Sequence, residues 1–210
     1  TGKIAISKNN LIYSKNKRKI TNPLSDKFTH LLRYKNDSIL ISYKTLNKDN
    51  PKLNCRLKNL EKFSPKRIVL DNKLELNTKS YLFKSADKNN TIVFYNEGSK
   101  SKVSEFKKSK INLIKSKINK DKKFDIKIIM KKLYHLGSRN ILIEGGNDLT
   151  NHLLKKKIFN QFYLFKSLKK LPKLKDYKEF NGLKNLKQSY RNRIKLKSYF
   201  GKDTVVLHKN

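Results

Sequence analysis

The chain has 210 residues, 36% hydrophobic and 10% aromatic, with 52 Lys and Arg against 16 Asp and Glu, giving a formal net charge of +36. That length holds a single α/β domain with a sizeable core, and recurring Ile-, Leu-, Phe- and Tyr-rich clusters exclude a fully disordered chain. Apolar runs such as Ile39–Ile41 and Ile141–Ile143 are too short to span a bilayer, Cys55 is alone, and one Cys with His30, His135, His152 and His208 scattered along the chain offers no four-ligand zinc set.

A cytoplasmic protein without a membrane partner or a metal is therefore expected. Thr1 is not a natural start and no charged-then-apolar leader follows it, so the chain reads as a fragment of a longer protein or a processed product. The charge admits two readings. A basic, non-enzymatic nucleic-acid-binding protein would show steep salt dependence. Against it, the seven Arg (18, 33, 56, 67, 139, 191, 193) are outnumbered by Lys distributed over nearly every segment, with no Arg and aromatic cluster on one element. Solvated surface is the preferred reading, and nucleic acid is not the expected partner. Where Lys is the default cation, an Arg marks a need for its planar fork.

In chain order, Lys3–Ser7 alternates and predicts a strand, and the polar stretch 8–19 predicts a loop. Asn22-Pro23 breaks the chain. Ser25 is the expected cap of a helix to about Tyr34, with Phe28, Leu31 and Leu32 on one face. Ser38–Ser42 is a strand, Thr45 to Pro51 a turn or short helix, and Arg67–Asp71 an internal strand. Short strands follow at Ser80–Lys84, Thr91–Tyr95 and Ile111–Ile114. Asp125 caps a helix whose Ile126, Ile129, Met130, Leu133 and Leu136 line one face and which Gly137 ends. Asn140–Ile143 is a strand, Asp148 to about Lys157 a helix and Gln161–Lys166 a strand. After a Lys- and Leu-rich connection, Arg193–Tyr199 and Thr204–His208 form a closing pair. The order implies a mixed, mostly parallel central sheet with helices on both faces and a C-terminal antiparallel strand pair.

Two groups of residues carry candidate chemistry. The strand Ile141-Leu142-Ile143 runs through Glu144 into Gly145-Gly146 and a helix start, where glycines admit a phosphate to the backbone and the helix end offers unpaired N–H groups. A tight strand-to-helix turn explains the glycines equally well. Glu144 is harder to explain that way, because a carboxylate at the rim of an apolar strand wants a partner. The second group is Arg33 and Arg56, which could grip one phosphate as a fork pair. Their structural explanations are an ion pair with Asp37 one turn on, and plain solvent exposure.

The segments Leu32-Arg33, Asp37-Ser38-Ile39-Leu40, Thr45, Asp49-Asn50-Pro51, Leu53 and Arg56, followed by Arg67-Ile68-Val69-Leu70-Asp71 and Ile143-Glu144-Gly145-Gly146, resemble in type and spacing the reductase domain of the RibD family, a dihydrofolate-reductase-like group. The likeness covers roughly residues 3 to 165. It implies NADPH-dependent reduction of a phosphorylated pyrimidine, 5-amino-6-(5-phosphoribosylamino)uracil, to its ribitylamino product in riboflavin biosynthesis. It also implies a homodimer, and a zinc-dependent deaminase domain commonly precedes such a domain. By the same resemblance Arg33, Leu53, Arg56, Glu144 and the position of Lys17 contact substrate. Ala5, Lys19, Thr45, Asp49, Asn72, Gly145, Gly146, Asn147, Asp148, Leu149, Thr150, Asn151 and His152 contact the cofactor. Asp49 and Glu144 are the candidate proton donors.

The chain departs from the family pattern in places. Ser7-Lys8-Asn9-Asn10 stands where the family has SLDG, so Asn10 must take over a glycine's backbone conformation. Lys17 and Lys19 replace a substrate-contacting Ser and a cofactor-stacking Trp, which removes an aromatic platform. Asn160-Gln161 replaces Asp-Glu, and Ser167 replaces Pro. A catalytically decayed or substrate-shifted member of the family is the alternative these departures raise.

Overall fold

The computed structural model describes residues 1–13, 19–197 and 200–209. It forms two compact units, Thr1–Leu32 with Leu142–Asn210, and Arg33–Ile141.

In the first unit, β1 (Gly2–Ile6) pairs parallel with β8 (Gln161–Lys166) along its whole length and with β7 (Ile141–Ile143) through Gly2 and Ile143. β11 (Thr204–Lys209) pairs antiparallel with β8, and β10 (Asn192–Lys195) antiparallel with β11. The closing pair is thus present, and residues 198 and 199 of its expected first strand lie outside the described residues. Alternation along β1 buries Gly2, Ile4 and Ile6 and leaves Lys3 and Ala5 half-buried on the other face. Phe28 anchors α1 (Pro23–Tyr34), with rings from Tyr163, Phe165 and Phe200 5.2–5.9 Å from its centroid.

Three expectations are corrected in this unit. The cap of α1 is Asn22, whose Oδ1 accepts from the amides of Leu24 and Ser25 at 2.9 and 3.1 Å. Ser25 instead donates its hydroxyl to Asp203 at 2.8 Å, and Asp203 also receives the Asn22 amide. The stretch 8–19 contains β2 (Leu11–Tyr13), paired antiparallel with β9 (Lys178–Glu179). The Lys- and Leu-rich connection folds a further helix, α7 (Leu183–Ser189), of which only Leu186 is buried.

In the second unit, β3 (Ser38–Ser42), β4 (Lys66–Leu70), β5 (Thr91–Tyr95) and β6 (Asn112–Lys115) are neighbours in that order, all parallel. β3, β4 and β5 read as nearly continuous apolar runs because both of their faces are covered, whereas the edge strand β6 has no fully buried residue. Segment Ser80–Lys84 is not a strand. Ser80 caps the short helix α3 (Tyr81–Lys84) through the Phe83 amide. The turn or short helix near residue 45 is α2 (Tyr43–Asp49), beginning two residues earlier. α4 (Lys100–Lys108) carries a single buried residue, Phe106, and gave no periodic signal. α5 (Ile126–His135) starts as expected at Asp125, which accepts the Lys127 amide, and Gly137 follows it at φ +86°. Ile126, Ile129 and Leu133 are buried on its inner face, but Met130 is only half-buried and Leu136 is exposed just past the end. Buried Arg67 is satisfied by Ser85, Asn90 and Thr91.

No described helix is long and apolar enough to cross a membrane. No group of three His, Cys, Asp or Glu among the described residues could hold a metal ion.

Candidate active site

The second unit brings the two arginines onto one residue. Arg33, at the end of α1, is only 9% exposed, and its Nη1 donates to the Asn54 carbonyl at 3.2 Å. Arg56 is exposed, and its Nη1 donates to Asn54 Oδ1 at 3.0 Å. Asn54 therefore orients both guanidiniums, one through its backbone and one through its side chain. The turn that presents it is backbone-strained: Asn50 (φ 43°) and Leu53 (φ 56°) both adopt the left-handed region, and Leu53 is buried at 2% exposure. Asp37 accepts the amides of Arg139 and Asn140 at 2.8 and 2.7 Å, which ties β3 to the turn after α5.

The C-terminal ends of the parallel strands carry the other candidates of this unit, where open α/β sheets receive ligands. At the end of β3, Ser42 caps α2, and its hydroxyl lies 3.2 Å from that of half-buried Thr45. Asp49 is exposed on the last turn of α2. Asn50 holds that end by accepting the Tyr81 amide, and Asn47 bonds the backbone of Glu75 and Asn77. Beyond β4, fully buried Asp71 accepts the amides of Glu75 and Leu76 at 2.9 and 2.7 Å. Burial pushes its carboxyl above the ordinary carboxylate range, against the pull of those amides. Asn72 follows. Its Oδ1 is buried and, among the described residues, has no hydrogen-bond partner. A buried carbonyl oxygen without a donor is costly, so this one calls for a donor from water or from a bound molecule. Sequence reasoning missed Tyr43, at the start of α2. Burial, and then a hydrogen bond with Glu75, push its phenol up to about 12 and keep it neutral. It also missed Asn54, because an Asn between two candidate residues carries no pattern.

In the first unit, β7 leads through half-buried Glu144 and Gly145 to Gly146, which precedes α6 (Asn147–Lys155) and makes no side-chain cap bond. The amides of the first turn of α6 are thus not capped by the residue before them, which is the arrangement that binds anions. Gly145 is tight. A Cβ there would lie 3.1 Å from Leu149 Cδ2 and from Thr150 Oγ1, whose hydroxyl donates to the Gly145 carbonyl. Asn147 accepts the Asn181 amide and Asn151 accepts from Asn185, so these two side chains hold α6 to segment 181–185. Asp148 is exposed, while Leu149 and His152 are half-buried and Thr150 is buried.

The Asn10 expectation is met: its φ is 61°, the turn closes by Asn10 N–H to the Ser7 carbonyl, and Asn fills the glycine position without breaking it. Lys19 does not act as a platform. It is 78% exposed and pairs with Asp26 at 3.3 Å. Lys17 lies outside the described residues.

This α/β chain, with its parallel strands and antiparallel C-terminal pair, has the dihydrofolate-reductase-like fold. A riboflavin biosynthesis reductase (Rib7) from Saccharomyces cerevisiae superposes with a TM-score of 0.76 at 21% identity, covering 99% of this chain and 87% of that one. The model of the family described as "RibD C-terminal domain" matches residues 12–167, and the chain belongs to that family. The riboflavin biosynthesis protein RibD of Aquifex aeolicus is 26% identical over 190 residues, 90% of this chain and 51% of that protein. A 2,5-diamino-6-ribosylamino-4(3H)-pyrimidinone 5′-phosphate reductase of Debaryomyces hansenii is 32% identical over 154 residues, 65% of this chain and 60% of that protein. The chain spans about half the length of the RibD relatives it matches.

Proposed function

We propose that this chain is an NADPH-dependent reductase of riboflavin biosynthesis, converting 5-amino-6-(5-phosphoribosylamino)uracil to its ribitylamino product. The observation that carries the reading is the pair of guanidiniums held on Asn54. Two planar cations fixed by one residue suit a phosphate monoester, and the Debaryomyces relative is named for a 5′-phosphate substrate. The residues present also fit a dinucleotide. The uncapped start of α6 offers backbone donors for a pyrophosphate, and the partnerless Asn72 Oδ1 offers an acceptor for a ribose hydroxyl or an amide.

When bound, the reduced nicotinamide supplies the hydride that C1′ of the opened ribose accepts. The chain's own residues do the rest. Arg33 and Arg56 grip the 5′-phosphate, and buried Leu53 acts through the left-handed turn that presents Asn54 rather than by touching substrate. Glu144 hydrogen-bonds the substrate. Thr45 and Asn72 orient the cofactor, as does Ala5 on β1. Asp49 or Glu144 holds the proton that the sugar ring oxygen takes as the ring opens. No covalent intermediate with the protein is needed, so position and exclusion of water carry the catalysis.

The test is NADPH oxidation with the deaminated phosphoribosylaminopyrimidine, in wild type and Glu144→Gln. Turnover is expected in wild type, and about a hundredfold lower kcat in the variant. A freshly folded wild type that binds NADPH but turns nothing over would overturn the reading and leave a decayed relative.

A further inference from the structure

At the edge where β3 and β4 begin, three segments of the second unit meet on Asp37. Its amide donates to the Asn140 carbonyl at 2.9 Å, its carbonyl accepts the Lys66 amide at 2.9 Å, and its carboxylate takes the amides of Arg139 and Asn140. This is the opposite end of those two strands from Ser42, Asp71 and Asn72. Each segment carries an aromatic ring outward. Tyr34 ends α1, Phe63 ends the 3₁₀ turn Glu61–Phe63, and Tyr134 lies in the last turn of α5. The three are 39%, 49% and 54% exposed. Five aromatic side chains are exposed among the described residues, and three of them stand at this edge, so the exposure is concentrated rather than scattered.

The rings are paired with one another and with cations. Tyr34 and Phe63 meet edge to face with centroids 5.7 Å apart, and Lys62 Nζ stands 5.1 Å from the Phe63 centroid. Arg139 Cζ lies 3.7 Å from the Tyr134 centroid, held there by Nη1 donating to the Tyr134 carbonyl. Lys35 follows Tyr34 and Lys66 opens β4, and both are exposed. Among the described residues none of Lys35, Lys62, Lys66 and Arg139 makes an ion pair. The acids of these segments are Asp37, whose carboxylate is taken up by two amides, and Glu61. The sequence holds no Arg and aromatic cluster on any one element, and the fold assembles one from three.

Open ring faces beside cations without counter-charges suit a single-stranded nucleic acid. Unpaired bases stack on aromatic rings and on guanidinium planes, and ammonium groups meet the phosphates. A duplex keeps its base faces stacked inside and cannot use the rings. The net charge of +36 draws any polyanion, so it is the rings that give this face its selectivity. A second copy seated here by a twofold axis would set the same cations against each other. An anionic membrane offers the rings no planar partner.

We propose that this edge is a binding face for single-stranded nucleic acid, with Tyr34–Phe63 and Tyr134–Arg139 as two stacking platforms and Lys35, Lys62 and Lys66 as phosphate contacts. This activity is additional to the reduction proposed above and does not depend on it.

The test is fluorescence anisotropy of labelled oligo-dT, oligo-U and a DNA duplex of the same length, titrated with the full chain. Wild type is compared with a ring variant (Tyr34→Leu, Phe63→Leu, Tyr134→Leu), a control (Tyr81→Leu, Tyr177→Leu) and a charge variant (Lys62→Gln, Lys66→Gln, Arg139→Gln). The ring variant and the control keep the net charge of +36, so stacking is read apart from charge. Wild type is expected to bind a single strand at least about tenfold more tightly than the duplex. The ring variant should lose about tenfold or more with its salt dependence unchanged, and the control should stay within about twofold of wild type. The charge variant should bind more weakly and flatten the slope of log K against log salt by about two. Whether oligo-dT or oligo-U binds better tells DNA from RNA, and either supports the proposal. Thermal melts report folding, and photocrosslinking of a 5-bromouracil-substituted strand to wild type needs no variant, with adducts expected at Tyr34, Phe63 or Tyr134. No loss in the ring variant, an equal loss in the control, a wild type that prefers the duplex or vesicles of anionic lipid, or crosslinks confined to other residues each overturns the proposal. Pyrimidine turnover, present or absent, bears on the reductase reading alone.

Discussion

The start of α6 in one unit and the Arg33–Asn54–Arg56 cluster in the other present different kinds of donor. At α6 the donors are backbone N–H groups, fixed by the helix and indifferent to most side chains. What matters there is that Gly145 stays small and that Asn147 and Asn151 keep the helix in place through segment 181–185. At Asn54 the donors are side chains, and each depends on its own support: a backbone carbonyl for buried Arg33, a side-chain carbonyl for exposed Arg56. A backbone site tolerates drift in sequence, whereas a side-chain site fails at single positions.

Breaking the side-chain site should have the larger effect. Arg33→Ala is expected to lower kcat/KM for the phosphorylated substrate by about 10²–10³-fold and also to lower the melting temperature, because it removes a buried charge-assisted bond. Arg56→Ala should raise KM about tenfold with no change in melting temperature, as befits an exposed side chain. Steady-state kinetics and thermal melts on both variants check this, and equal effects from the two would dissolve the distinction. Gly145→Ala probes the backbone site. Its Cβ must displace Leu149 or Thr150, at a cost of about 1–2 kcal/mol, and NADPH affinity should fall several-fold with substrate KM unchanged. A Gly145→Ala protein that binds NADPH like wild type would separate this turn from cofactor binding. The smallest effect is expected at Asn72. Replacing it with Ala removes an oxygen that has no hydrogen-bond partner among the described residues, so stability should hold or rise slightly while NADPH affinity falls about three- to tenfold. Calorimetric titration beside a thermal melt reads both quantities, and a destabilised variant with normal affinity would make Asn72 structural.

Much of this was legible without coordinates. The apolar runs of β3, β4 and β5, the Asp125 cap and inner face of α5, the Glu144-Gly145-Gly146 turn into α6 and the closing pair of strands each carry a local signal that periodicity or a cap reports. The errors share a cause. α3 is four residues long, too short for a 3.6-residue period, and its Tyr-Leu-Phe sequence mimics a strand. α4 buries one side chain, so its amphipathicity is faint. β2 exists because of β9, a partner that comes from the far end of the chain. Ser25 has every local qualification for a helix cap, yet Asp203 takes its hydroxyl and Asn22 does the capping.

The residue types suited to anion chemistry, the family, and the order of helices and strands were written in the sequence, because hydrophobic period, capping residues and the spacing of Arg and Gly are local properties. Only tertiary structure decided that Asn54 is shared by two arginines and that Asn72 keeps a buried oxygen with no hydrogen-bond partner among the described residues. Those facts depend on which loops lock together across neighbouring strands, and contact between distant segments leaves no mark in a local pattern.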